Sequence, residues 1–489
     1  MLLFKNKITV ILGLMLLMGG MYFYPNDWMG WFLLGGSFYF IDRMKLDSQT
    51  KGILLFILFI HQIIALYYFI KYPGYVEDID FTTFQLTAKT IAEGNYFSFG
   101  TDAAFFSNLL ALFYKINNSQ LFGQEISLVM FMTSCFVLMR IVKYYQLDTY
   151  IIPILLLYAL SPASLLWTNV ILREPFELTF LLLATECLLC FKSGGFAIST
   201  RLLYLSGSFL LILYMCLLHK GLFFCLPVFF FMALILPAKD KTGAQMVMKL
   251  MQPQKLKQYI SLIYLPFVLL LVIVFYQSNT DLNKEQVEQK KMHASKIIYN
   301  NNYMTVEVAK DLSQKISSLG LYKTVAKFRY GDAEVLSPEY MASLFNAKTN
   351  YDKGNFVPKN LIQFSYMALR EYLHYAFLPA VLVTGNWTLL NLILSFIYIA
   401  RLLFFCSAIK LSIVFYKKSV RSPLILLSLY FIVSFIFSLG TIAYGTAMRH
   451  NLMTDWILIL LGTPLIYDFA AQLFKKLAWR RNALKLQRV

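Results

Sequence analysis

Apolar runs of membrane-spanning length, separated by short polar turns, make up most of this chain. They fall near 8–24, 27–41, 52–70, 124–141, 150–168, 174–191, 202–218, 221–237, 258–276, 388–409, 422–441 and 451–470. A helix needs about 20 mostly apolar residues to cross the hydrocarbon core. Helices satisfy their own backbone polar groups there. The pattern therefore predicts an all-α, polytopic membrane protein of about twelve transmembrane helices. The run at 27–41 is short for a crossing, and that at 388–409 has ragged ends.

Two segments are too long and too polar to be simple connections. The first, 71–123, reads as extended chain through Tyr72-Pro73-Gly74, then a helix near 82–93 and a second near 102–116. Asp80 is placed to cap the first helix, and Gly94 suits a left-handed terminus. Phe81, Phe84 and Ile91 give it an apolar face, which predicts that it lies in the membrane interface. The second segment, 277–387, is rich in Lys and Asn at first. It reads as an amphipathic helix over 305–318, and Ser337-Pro338-Glu339 starts another. These pieces predict a small helical external segment. The apolar run 364–382 is interrupted by Arg370, Glu371 and His374 and reads as interfacial or re-entrant. The chain then divides into three parts: an N-terminal transmembrane module, 1–276, with its external loop 71–123; the external segment 277–387; and C-terminal transmembrane helices with a basic tail, 388–489.

Charge orients these elements. Lys5 and Lys7 precede the first run, and Arg43, Lys45 and Lys51 separate the second from the third. Arg140 and Lys143 follow the fourth, and Lys192 and Arg201 part the sixth from the seventh. Five lysines mark 238–257: Lys239, Lys241, Lys249, Lys255 and Lys257. Lys410, Lys417, Lys418 and Arg421 follow the tenth run. The tail carries Lys475, Lys476, Arg480, Arg481, Lys485 and Arg488 without an acid. Even numbers of crossings put all of these on one side, which the positive-inside bias makes cytoplasmic. Both termini are expected there, in the cell (inner) membrane, with the active face external or periplasmic.

Composition agrees. Hydrophobic residues reach 58% and charged ones only 14%, against roughly 25% charged in soluble domains. The formal net charge of +18 follows from the loop asymmetry and from attraction to anionic lipid. No basic stripe carries a nucleic-acid reader motif, so no nucleic-acid partner is expected. The first run has no small-residue cleavage site and another run follows at once, so it reads as an anchor. All six cysteines lie in apolar runs, and Cys187 and Cys190 have no second pair. Neither a disulfide frame nor a zinc site is expected.

With the runs threaded this way, Asp78, Asp80, Arg173, Glu174, His219, Lys220, Arg449 and His450 gather at the external mouth. Glu77-Asp78-Ile79-Asp80 follows the third run directly. Alternate residues of extended chain face opposite ways, so one acid can face a pocket while the other caps the helix. Glu174-Pro175 suits a helix start, but Arg173 sits at the unfavourable pole of that helix. His219-Lys220 occupies a tight external turn, and Arg449-His450 opens the last run. Glu186 and Asp468 lie toward the cytoplasmic half, the first as a helix-packing polar group, the second within reach of the basic tail. No Walker loop, dinucleotide fingerprint or H-E-x-x-H metal motif occurs.

The order of these features carries a resemblance. Glu77-Asp78-Ile79-Asp80 is followed by Ala92-Glu93-Gly94-Asn95-Tyr96, by Ser107-Asn108 through Tyr114-Lys115, and, after a run and a basic turn, by Ala159-Leu160-Ser161-Pro162 and Leu172-Arg173-Glu174-Pro175-Phe176. This order resembles the N-terminal half of bacterial GT-C membrane glycosyltransferases. Gly445-Thr446-Ala447-x-Arg449-His450 is similar to a late external motif of O-antigen-type polysaccharide polymerases. The resemblance covers about residues 70–190 and, more weakly, 440–460. The acidic motif follows the first span in many family members and the third run here, a departure that two extra N-terminal helices would explain.

The resemblance implies a GT-C-like fold and transfer of a sugar or oligosaccharide from a polyprenyl-phosphate-linked donor to a saccharide or lipid acceptor. Asp78 or Asp80 would be the base, because acceptor hydroxyls need one. Arg173, Lys220 and Arg449 would hold the donor phosphate, with Glu174, His219 and His450 in support. No cofactor is implied outright, and the chemistry leaves room for a divalent metal. A transporter or flippase of a lipid-linked saccharide, or a non-catalytic scaffold of an envelope complex, also accommodates about twelve spans. Helices broken near the bilayer midplane would favour the transporter.

Overall fold

The structure, a computed structural model, describes residues 17–71, 79–94, 103–192, 197–235, 358–377, 389–417, 422–441 and 444–486, and the single position 314. The expected run at 258–276, most of that at 8–24, the extended stretch 72–74, Asp78 and the helices expected at 305–318 and from Ser337 lie outside these residues. Among the described residues every regular element is a helix, and none is a strand. In chain order they are α1 (Trp28–Arg43), α2 (Ser48–Lys71), α3 (Ile79–Gly94), α4 (Ala103–Tyr114), α5 (Gln120–Tyr144), α6 (Ile151–Ala159) and α7 (Pro162–Trp167). Then follow α8 (Glu174–Lys192), α9 (Ile198–Leu218), α10 (Cys225–Ile235), α11 (Leu361–Ala376), α12 (Leu389–Lys417), α13 (Ser422–Gly440) and α14 (Tyr444–Leu486).

Among the described residues six stretches are long and apolar enough to cross a bilayer: Ser48–Lys71, Gln120–Tyr144, Ile198–Leu218, Leu392–Phe415, Pro423–Gly440 and Thr446–Leu473. The protein is thus an all-α membrane protein, but these six do not reach the twelve crossings expected. The differences have local causes. α1 has 16 residues and α10 has 11. α8 carries Glu174, Glu177 and Glu186 within one apolar run. The run at 150–168 is not one helix. It breaks after Ala159, and α7 restarts with Pro162 in its first turn and Ser161 as cap, its side chain accepting from the Ser164 amide at 3.2 Å. Proline fits a first turn because that turn lacks an intrahelical acceptor for its nitrogen.

The described residues form two compact units. The first draws on Met1–Val274, Ser407–Ile425 and Ile459–Val489, the second on Phe275–Cys406 and Leu426–Leu458. These bounds differ from the three-part division expected from the sequence.

In the first unit, α8 is held between α5 and α9 by hydroxyl groups that bond across helices, as in apolar surroundings where polar groups seek partners. Thr179 Oγ1 donates to the Met130 carbonyl at 2.7 Å, and Ser208 Oγ to that of Ala184 at 2.8 Å. Asp47 accepts from the Thr50 amide at 2.8 Å at the start of α2, which holds its carboxyl below the usual range. α3 and α4 pack on each other: Phe84 meets Phe106 near their starts at 5.0 Å, and Asn118, just past α4, donates to Glu93 at the end of α3 at 3.0 Å. Their Phe84, Ala88, Ile91, Phe106, Leu110 and Tyr114 share one core with Phe122, Leu172, Phe176 and Leu218. Phe84 and Ile91, two residues of the apolar face expected for α3, are therefore buried against protein. Gly94 is its last residue.

In the second unit, α11 lies with α12, α13 and the first part of α14. Asn360 caps α11 by accepting from the Gln363 amide at 2.9 Å. Its inner face is unusually polar, burying Glu371, Tyr372, His374 and Tyr375.

Candidate functional site

The candidate site of the first unit is built at the start of α8. Arg173 is the residue before that helix, and its carbonyl accepts from the amides of Phe176 and Glu177, both at 3.0 Å. Its side chain then runs along the first turn to Glu177, Nε to Oε1 at 3.5 Å, while Nη1 donates to the Leu218 carbonyl at the end of α9 at 3.1 Å. His219 follows Leu218, and its Nδ1 lies 3.7 Å from the same Glu177 oxygen. The Glu177 side chain is 0% exposed and that of Arg173 is 12% exposed. Glu174, in the same turn, is buried as well. Lys220 is next in the chain, exposed, and opens a short 3-10 turn, Lys220–Phe224.

The structure thus brings together Arg173 and His219, with Lys220 adjoining in sequence. The residue joining them, Glu177, was missed by sequence reasoning. The available signal was an Arg followed four residues later by Glu at a helix start, a spacing that puts both on one face. Electrostatically, Glu174 and Glu177 offset much of the positive charge of Arg173. Lys220 adds an exposed cation beside them.

The acidic motif stands differently from expectation. α3 begins at Ile79, so Asp80 is its second residue and not its cap. Asp78 and the Asp80 side chain lie outside the described residues. The helix that Asp80 opens reaches the mouth through aromatic rings. Phe84, one turn after Asp80, meets Phe106 edge-on at 5.0 Å, and Phe106 meets Phe176 at 5.3 Å, three residues past Arg173.

Arg449 and His450 belong to the second unit. His450 is buried there, its ring stacked on Phe437 at 4.5 Å with Nδ1 3.0 Å from the Thr441 hydroxyl. This packing gives it a structural place on α13.

The structure adds two polar clusters within spans. In the first unit His61, on α2, bonds through Nε2 to the Ala159 carbonyl at 2.9 Å, where α6 ends, and through Nδ1 to Asn169 and Thr168, both at 3.1 Å. Its neighbour Gln62 donates to Glu125 on α5 at 2.7 Å, and Glu125 is fully buried. In the second unit Arg401, on α12, pairs with Asp455 on α14 at 3.0 Å and lies over the rings of Tyr430 and Tyr375 at 5.6 and 5.9 Å. Each was legible as a lone ionisable residue inside an apolar run, which ordinarily has a partner or a role. Of the other inner acids, Glu186 pairs with Arg140, and Asp468 accepts from the Tyr150 hydroxyl at 2.9 Å. Among the described residues no three His, Cys, Asp or Glu side chains are grouped to hold a metal ion.

Compared with known proteins, the chain matches no family model, no curated protein and no solved structure.

Proposed function

We propose that this protein is a membrane glycosyltransferase or polysaccharide polymerase that takes a sugar or oligosaccharide from a polyprenyl-phosphate-linked donor at the external face. The observation that carries this reading is the convergence of Arg173, Glu177 and His219 at the start of α8, beside exposed Lys220 and the α3–α4 pair that the acidic motif opens. Lys220 meets the lipid phosphate as a mobile point charge. Arg173 is held in one orientation by Glu177 and the Leu218 carbonyl, so its fork is preorganised where negative charge grows on the leaving phosphate. The Asp80 carboxylate takes the acceptor hydroxyl proton. The acceptor oxygen bonds to the anomeric carbon, and the carbon–phosphate-oxygen bond breaks with its electron pair going to the phosphate.

The test is a reconstituted transfer assay with polyprenyl-phosphate-linked saccharide donors, with donor affinity measured separately. Glycosyl product is expected, and Arg173→Ala and Lys220→Ala should each weaken donor binding on the order of tenfold. Absence of product across donor and acceptor sets, with folded protein, would sink the reading.

A second reading, a transporter or flippase of a lipid-linked saccharide, is favoured by one specific feature. The helix broken between α6 and α7 is met at its break by His61, inside a span, next to the buried Gln62–Glu125 pair. Movement of a labelled lipid-linked saccharide across vesicles, with no glycosyl product, would select it.

A further inference from the structure

The end of the α8–α9 pair remote from Arg173 has no part in the transfer chemistry, yet it brings two cations, Lys192 and Arg201, together. Lys192 ends α8 and is only 2% exposed. Among the described residues its ammonium makes no hydrogen bond and no ion pair. Its charged neighbour is a like charge, Arg201, in the first turn of α9. Both cations lie against one ring, Lys192 Nζ at 5.4 Å and Arg201 Cζ at 5.6 Å from the centre of Phe191. Lys192 stands one residue past the expected span 174–191, and burial together with the Arg201 guanidinium pushes its ammonium down to about 8. Arg201 is fixed in place, because its Nε donates to the Phe191 carbonyl at 2.7 Å. The acid preceding Lys192 on α8, Glu186, is taken by Arg140.

A third positive feature lies alongside. α9 has 21 residues, and its N-cap is Ala197, which supplies no side-chain acceptor. The amides of a first turn and the positive pole of a helix attract anions. An unpaired buried ammonium, a fixed guanidinium and an uncapped helix start require an acceptor with several oxygens. A phosphate group has them: it can accept from the ammonium, the guanidinium and backbone amides at once. We propose that Lys192, Arg201 and the N-terminus of α9 form a phosphate-binding site at the end of α8 opposite Arg173. The phosphate comes either from the headgroup of an anionic phospholipid or from a soluble phosphate compound.

Native mass spectrometry of the full chain with dioleoylphosphatidylglycerol and with dioleoylphosphatidylcholine tests the lipid source. Calorimetry with inorganic phosphate, on the chain in phosphatidylcholine nanodiscs, tests the soluble one. Whichever source is right, Lys192→Gln should weaken that binding on the order of tenfold and Lys192→Arg should keep it. In the unaltered chain, a photoreactive phosphatidylglycerol headgroup should label the peptide carrying Lys192 and Arg201, a readout that survives if a variant does not fold. Retention of phosphatidylglycerol with loss in Lys192→Gln supports the lipid headgroup. Binding of phosphate with the same loss supports a soluble ligand. Affinities that ignore Lys192, or labelling confined to other peptides with no phosphate binding, overturn the proposal.

Discussion

Glu177 determines what Arg173 can offer. An arginine at the start of a helix opposes the helix dipole, and the sequence marked it as unusual for that reason. The structure resolves the conflict with an acid one turn away and a carbonyl from the end of α9. Arg173, His219 and Lys220 were legible because charged side chains beside hydrocarbon stand out. Glu177 was not, since an acid in the first turn of a helix looks ordinary. α3 starts at Ile79, so Asp78 precedes the helix in sequence as a candidate cap, and on the proposed mechanism Asp80 is the base. Asn caps about as well as Asp. Asp78→Asn should therefore leave transfer nearly unchanged, and Asp80→Asn should lower turnover about 10²–10⁴-fold with donor affinity retained. Equal, full activity in both variants would remove the acid from the mechanism.

At the scale of elements, periodicity and length located the described helices well, from α2 at 52–70 to α13 at 422–441. It failed where one hydroxyl and one proline act locally, at the break between α6 and α7, because both halves are equally apolar. Close helix approach was also invisible. A Cβ on Gly30 of α1 would sit 2.7 Å from Leu121 Cγ and 2.9 Å from the Phe122 backbone nitrogen on α5. Gly30→Ala should cost about 1–3 kcal/mol, because backbone cannot yield as a side chain does; an unchanged unfolding midpoint would refute that contact. In the second unit Arg401 ties α12 to α14 through Asp455 and to α11 and α13 through Tyr375 and Tyr430. Arg401→Met alone leaves the half-buried Asp455 without its partner and should cost about 2–3 kcal/mol. Adding Asp455→Leu should recover most of that loss. A double variant no more stable than the single would mean that the pair does more than neutralise itself.

Over the whole molecule, the distribution of charge is what orients the chain. Within the first unit the structure separates two ends of α8. Arg173 meets Leu218 and His219 at one, and Lys192 meets Arg201 at the other, where Arg140 on α5 also pairs with Glu186. Three of the cations counted from the loops, Arg140, Lys192 and Arg201, therefore lie toward one end of α8, and Arg173 lies at the other. That arrangement follows from antiparallel helices of similar length, in which a basic end of one adjoins a basic start of the next. We propose, from the positive-inside bias, that the Arg140–Lys192–Arg201 end faces the cytoplasm, Arg173 the outside, and both termini the inside. Single cysteines at Asn300 and at Arg488, in a chain with its own six cysteines replaced, test this in intact cells. The expected result is that an impermeant thiol reagent labels position 300 at once and position 488 only after the cells are opened. The reverse order would invert the topology. It would move Arg173, Lys220 and the acidic motif to the cytoplasmic face, where nucleotide-linked donors replace lipid-linked ones and the proposed chemistry loses its substrate.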